Sequence, residues 1–159
     1  MIEDPNPQRT PLSELGEFGL IERLTADLVP VHASTVVGVG DDAAVLRPDA
    51  EHDLLVSTDL LVEGVHFDLA YVPLQHLGYK AAVVNFSDMY AMGGTPTQLT
   101  VGLAVSSRFP VEALDEVYAG IRRACTQYGV DLVGGDTTSS PSGLTLAVTV
   151  LGQVAKGGA

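Results

Sequence analysis

The sequence predicts an α/β (α+β) domain, a mixed sheet with helices covering one of its faces. Two observations lead there. Apolar residues recur with a period near 3.6 in some segments and form short continuous runs in others, and the two patterns alternate through the second half of the chain. The chain has 159 residues, 46% of them hydrophobic but only 6% aromatic, with no Trp. One ordinary domain with a core of Val, Leu and Ala accounts for that composition.

The elements follow in order. Residues 1–13 are rich in Pro and polar groups and read as a flexible leader, with the domain proper over 14–159. Leu15 to Val29 carries apolar residues at Phe18, Ile21, Leu24 and Leu28, the spacing of one helical face, with Ser13 as a candidate cap. Val36–Val39 and Ala43–Leu46 read as short strands on either side of Asp41 and Asp42, and Leu54–Val62 as a third. Pro73 to Met92 is a long helix that Gly93-Gly94 ends. Leu99–Ser106 is a strand, Val111–Tyr128 a helix, Val130–Gly134 a strand and Leu144–Val154 the last strand. The chain stops soon after it, at Lys156-Gly157-Gly158-Ala159, and reads as one domain of a longer gene product.

Charge narrows the partners. Twenty acidic residues against eight Lys and Arg give a net charge of −12, and only Lys80 and Lys156 are lysines. Nucleic acid and anionic membrane surfaces call for basic patches, so neither is an expected partner. The single cysteine, Cys125, rules out an intrachain disulfide and fits a reducing, cytoplasmic setting. It lies in a helical pattern with Ile121, Ala124 and Tyr128, where a small buried hydrophobe is the expected role. No apolar run reaches the length of a membrane span, and the first residues do not form a secretory signal.

Chemistry is concentrated in four acidic clusters, each beside Gly or a small hydroxyl residue: Gly40-Asp41-Asp42, Ser57-Thr58-Asp59, Asn85-Phe86-Ser87-Asp88 and Gly134-Gly135-Asp136-Thr137. Hard oxygen donors of this kind suit Mg2+, which takes one or two carboxylates, keeps some water and bridges to phosphates. Each cluster also has a plainer reading. The first fits a Gly-Asp hairpin turn. The second, where an apolar run ends, fits a turn or a helix cap. Asn85 and Asp88 fall on one helical face, which solvent alone could explain. The fourth reads as a Gly-rich turn whose amides can cradle phosphate, or as a tight hairpin before the last strand. It is neither a Walker loop nor a dinucleotide-binding fingerprint. His66 has no second His or Cys at metal spacing, so it fits a structural or substrate-binding histidine better than a zinc ligand. Lys80 can meet a phosphate or pair with a neighbouring acid, and Tyr118 falls on the apolar face of its helix with Leu114 and Ile121.

Taken in order, Gly16-Glu17-Phe18-Gly19-Leu20-Ile21, Gly40-Asp41-Asp42-Ala43-Ala44-Val45, Ser57 to Phe67, Asn85 to Pro96 and Gly134-Gly135-Asp136-Thr137-Thr138 resemble the thiamine-monophosphate kinase family, and only its N-terminal domain. The wider superfamily includes aminoimidazole ribonucleotide synthetase, selenophosphate synthetase and a hydrogenase maturation factor. The resemblance implies an aminoimidazole-ribonucleotide-synthetase-like N-terminal fold whose sheets pair across a homodimer, with the family's C-terminal domain absent from this chain. It implies a magnesium-dependent enzyme that moves the γ-phosphate of ATP onto thiamine monophosphate, giving thiamine diphosphate. It assigns metal roles to Asp42, Ser57, Thr58, Asp59, Asp88 and Asp136, ATP contacts to Tyr118, Gly135 and Asp136, and the thiamine phosphate site to His66. No general acid or base is implied, because the attacking phosphate oxygen is already anionic. Lacking the second domain, the chain alone is not expected to turn over. Two rivals stand beside this reading. One is another ATP-dependent member of the superfamily, although a selenophosphate synthetase calls for a reactive Cys or selenocysteine near the start and residues 1–30 contain no Cys. The other is a non-catalytic dimerisation module.

Overall fold

The computed structural model describes residues 9–40 and 43–159. Their elements are α1 (Leu12–Thr25), β1 (Thr35–Val37), β2 (Val45–Leu46), β3 (His52–Val62), α2 (Leu74–Ala91), β4 (Thr95–Val105), α3 (Val111–Tyr128), β5 (Asp131–Ser139) and β6 (Leu144–Ala155). This is the order expected from the sequence. The main sheet runs β3-β6-β4-β5, with β6 antiparallel to both β3 and β4, and β4 parallel to β5, so it is mixed as expected. β1 and β2 form a separate antiparallel ribbon whose connection carries Asp41 and Asp42; those two residues lie outside the described ones.

Alternation decides which face is covered. Along β6, Leu144, Leu146, Val148 and Val150 are buried while the residues between them are half-exposed. α2 and α3 pack on that buried face, and Leu77, Phe86, Leu114 and Ile121 complete a core in which each large side chain is worth roughly 1.5–3 kcal/mol. The two helices touch backbone to backbone. A Cβ on Gly78 would lie 1.9 Å from the Val117 carbonyl oxygen, and one on Gly120 2.0 Å from that of Gln75, so only glycine permits this crossing. The opposite face of β3 is uncovered: Leu54, Val56 and Leu60 are 54%, 62% and 61% exposed.

The start of the chain differs from expectation. Residues 1–8 of the expected leader lie outside the described residues, but Thr10 is tied down: its amide and hydroxyl both donate to the Glu112 carboxylate, at 3.0 and 2.8 Å. α1 then begins at Leu12 behind Pro11, and Ser13 is not its cap. Gly16, at φ 65°, interrupts the helix with a conformation that side chains disfavour. Beyond this kink Leu20 and Leu24 are buried, while Phe18 is 85% exposed rather than facing the core.

Candidate functional site

Two of the acidic clusters sit inside strands, not at their ends. Ser57-Thr58-Asp59 occupies the middle of β3, opposite Val150, Thr149 and Val148. The apolar run stops there because the strand is an edge, where polar side chains on the covered face still reach solvent. Strand alternation then splits the triplet. Ser57 and Asp59 share the face of buried Leu61, toward α2, whereas Thr58 points the other way and its hydroxyl donates to the Val148 carbonyl at 3.0 Å. Gly134-Gly135-Asp136-Thr137 lies within β5, paired with Thr100 to Leu103, and is not the expected turn. A Cβ on Gly135 would lie 2.0 Å from the Val101 carbonyl oxygen, so this glycine has a reason to be there in strand pairing alone.

The site residues collect at two places. At the β3 edge, Ser57 Oγ donates to Asp88 Oδ2 at 2.8 Å, joining the second and third clusters across the strand–helix contact. Asp59 follows on the same strand face. Asn85, expected beside Asp88 on one face, is fully buried; its Nδ2 donates to the Ala81 carbonyl at 2.9 Å and its Oδ1 has no partner. A spacing of three is about 60° short of a full turn, which is enough to put one residue in the core and the other at the margin.

At the β5 edge a cavity of about 580 Å³ brings together Tyr118, Gly135 and Asp136, with Gly40, Ala43 and Phe18 across from them. The glycine next to the first acidic cluster thus faces the fourth cluster. Burial pushes the Tyr118 phenol up to about 12, so it stays a neutral donor at physiological pH. Cys125, two turns further along α3, is buried, and its thiol is likewise pushed up to about 12. A protonated thiol there is inert, as expected of a small core hydrophobe.

These two places do not merge within one chain. Three strand spacings, roughly 14 Å, separate β3 from β5. Asp136 is in row with Gly102, Ala147 and Leu60 on the uncovered face, while Asp59 is in row with Val148 on the covered one. Among the described residues no three His, Cys, Asp or Glu side chains gather to hold a metal ion. The oxygen pair of Asp88 and Ser57, with Asp59 nearby in sequence, nevertheless fits an ion that needs only one or two protein carboxylates beside phosphate and water.

His66 lies apart from both, in the turn after β3. Its Nδ1 accepts from the Val62 amide at 3.0 Å, so the ring carries its proton on Nε2, and Lys80 Nζ donates to the His66 carbonyl at 3.1 Å. The ring is therefore a local brace that leaves one donor free. Sequence reasoning missed Phe18 and Thr100 as cavity-lining residues. The sequence places Phe18 on the apolar face of its helix, which reads as core, and nothing in the sequence marks Thr100.

Comparison with known proteins accords with this fold. Residues 40–154 match the family described as AIR synthase related protein, N-terminal domain. The thiamine-monophosphate kinase of Synechococcus elongatus is 46% identical over 90% of this chain and 42% of its own length. The structure of thiamine-monophosphate kinase from Stenotrophomonas maltophilia K279a superposes with a TM-score of 0.73 at 36% identity, covering 90% of this chain and 44% of that one. A structure of AaThiL complexed with AMPPCP and TMP gives 0.64 at 33% identity, covering 96% and 45%. The chain thus spans less than half the length of these relatives. With 115 contiguous residues matched (40 through 154), it belongs to the AIR synthase related proteins and forms their N-terminal domain.

Proposed function

We propose that this chain is the metal- and nucleotide-binding part of a kinase that uses ATP to convert thiamine monophosphate into thiamine diphosphate. The observation that carries this is the β5-edge cavity, which gathers Tyr118, Gly135 and Asp136, the three residues to which the family resemblance assigns ATP. The names of the relatives support the substrate, and the relative complexed with AMPPCP and TMP supports the pairing of an ATP analogue with that ligand. They favour this branch over the selenophosphate-synthetase, aminoimidazole-ribonucleotide-synthetase and hydrogenase-maturation branches. A non-catalytic module would have no use for a cavity of this size with the Asp136 carboxylate in its lining.

In this reading Tyr118 and the β5 backbone hold the nucleotide, and Asp136 lies beside its phosphates. Asp88, fixed by Ser57, and Asp59 hold magnesium at the β3 edge; Asp42, which the resemblance also assigns to metal, lies outside the described residues. Thr58, on the opposite face of β3, is the least suited of the assigned ligands. Bound magnesium supplies charge neutralisation between two anionic phosphates and a template for in-line transfer. His66 offers its Nε2 proton to the substrate phosphate while Nδ1 braces the turn. No side chain has to remove a proton, which suits a site without a nucleophile–base pair.

The uncovered face of β3, with Leu54, Val56 and Leu60, supports pairing with a second copy, and we place the working enzyme as a homodimer in the cytoplasm. The test is thiamine diphosphate formation by the natural full-length protein given thiamine monophosphate, ATP and magnesium. Product that disappears on chelation is the expected result; a folded, ATP-binding protein that yields none would move the assignment to another substrate. Equilibrium sedimentation of Val56→Asp checks the dimer, with a shift to monomer expected.

A further inference from the structure

One buried carboxylate takes no part in the scheme above. Asp131, the first residue of β5, is only 4% exposed. It accepts hydrogen bonds from the Val31 amide at 2.6 Å, the His32 amide at 3.0 Å and the Thr35 hydroxyl at 2.6 Å. Gln98 on β4 reinforces the same segment, its Nε2 donating to Ser34 Oγ at 2.9 Å and Thr35 Oγ1 at 3.0 Å. His32 closes the set, its Nε2 lying 2.5 Å from the Gly129 carbonyl at the end of α3. No ion pair reaches Asp131 among the described residues. Its charge is met by backbone dipoles and a hydroxyl, an arrangement that fixes direction as well as energy.

The segment 31–35 leads into β1 and on to Gly40, one wall of the cavity; Asp131 begins β5, whose Leu132 to Thr137 form the facing wall. One side chain therefore fastens both walls at their common root. We infer that Asp131 is a positioning residue that sets the width of the nucleotide cavity by clamping residues 31–35 to the start of β5. A carboxylate suits this because all three of its partners are donors. An amide in its place turns an NH2 toward one of them and leaves a buried donor unmatched.

The inference rests on the nucleotide reading of the cavity, and its test separates the two. In the natural full-length protein, Asp131→Asn is expected to raise the Kd of a magnesium-bound non-hydrolysable ATP analogue, and the KM for ATP, about tenfold or more, with the KM for thiamine monophosphate unchanged. Thr35→Val, which removes one of the three donors, is expected to give a smaller rise in the same direction and decides the matter if Asp131→Asn does not fold. A Kd within about twofold of wild type in the folded variants, or equal rises in both KM values, would overturn the clamp and leave Asp131 as an anchor of stability alone. Wild-type protein that binds no nucleotide would overturn the cavity reading itself.

Discussion

The two free edges of the main sheet are built in opposite ways. At β3 the polar groups are held by the sheet and helix themselves, with Ser57 on a strand bonded to Asp88 on α2 and no enclosing wall. At β5 the groups line a cavity whose far wall comes from α1 and from the connection between β1 and β2, the latter tied in through Asp131. The first edge is a rigid rack of oxygens suited to a small hard ion; the second is a roomy, partly apolar pocket suited to a base and its phosphates. In the proposed reading, ion ligands on regular structure tolerate no displacement, while an organic ligand partly against a loop can be met adaptively.

Substitutions test that division. Asp88→Asn is expected to cost the full-length protein more than about a hundredfold in turnover while leaving its melting temperature nearly unchanged; near-normal turnover would remove the ion from the β3 edge. Gly78→Ala strikes the helix layer behind both edges. Its new methyl must displace the Val117 carbonyl, and a loss of about 1–3 kcal/mol or more in denaturant unfolding is expected, lowering both edges together. Alkaline pH should distinguish them. The Cys125 thiol and the Tyr118 phenol both have folded values raised to about 12, above their ordinary 9.0 and 10.0, so the stability they contribute is complete below those ordinary values and is lost as pH climbs from 9 toward 12. Both lie on α3, and Tyr118 lines the cavity. Hydrogen exchange is therefore expected to accelerate first in α3 and β5, and Cys125→Ala to flatten the stability profile between pH 9 and 10. The smallest effect is expected of Tyr118→Phe, a rise of about two- to tenfold in KM for ATP with the thiamine monophosphate KM unchanged.

Much of this was legible in the sequence where punctuation is strong. α3 runs from Val111 to Tyr128 as its apolar spacing predicts, because Pro110 precedes it and Gly129, at φ 66°, ends it. The long helix α2 and the last strand were found to within a residue or two of their ends for the same reason. β5 was cut short because Gly134-Gly135-Asp136-Thr137 has the composition of a turn. Parallel pairing with β4 carries the strand on to Ser139, and pairing between distant segments leaves no local trace. β4 was begun late because Pro96, Thr97 and Gln98 look like a loop, yet Thr97 and Gln98 are buried polar residues bonded to each other at 2.8 Å. The acidic clusters were legible in the sequence as groups of oxygen-bearing side chains, but their division between two edges is a property of strand order, which no spacing in the chain reveals.

The glycine crossing of α2 and α3 has a mechanical consequence. Because Gly78 and Gly120 seat each helix against the other's main chain, neither can slide along its axis without driving peptide into peptide. α2 carries Asp88 and α3 carries Tyr118, so the two helices behave as a single spline. Thermal jitter at the pocket must then arrive at Asp88 as motion of the whole layer, in step, and the spacing between the two edges is kept by a pair of missing methyl groups.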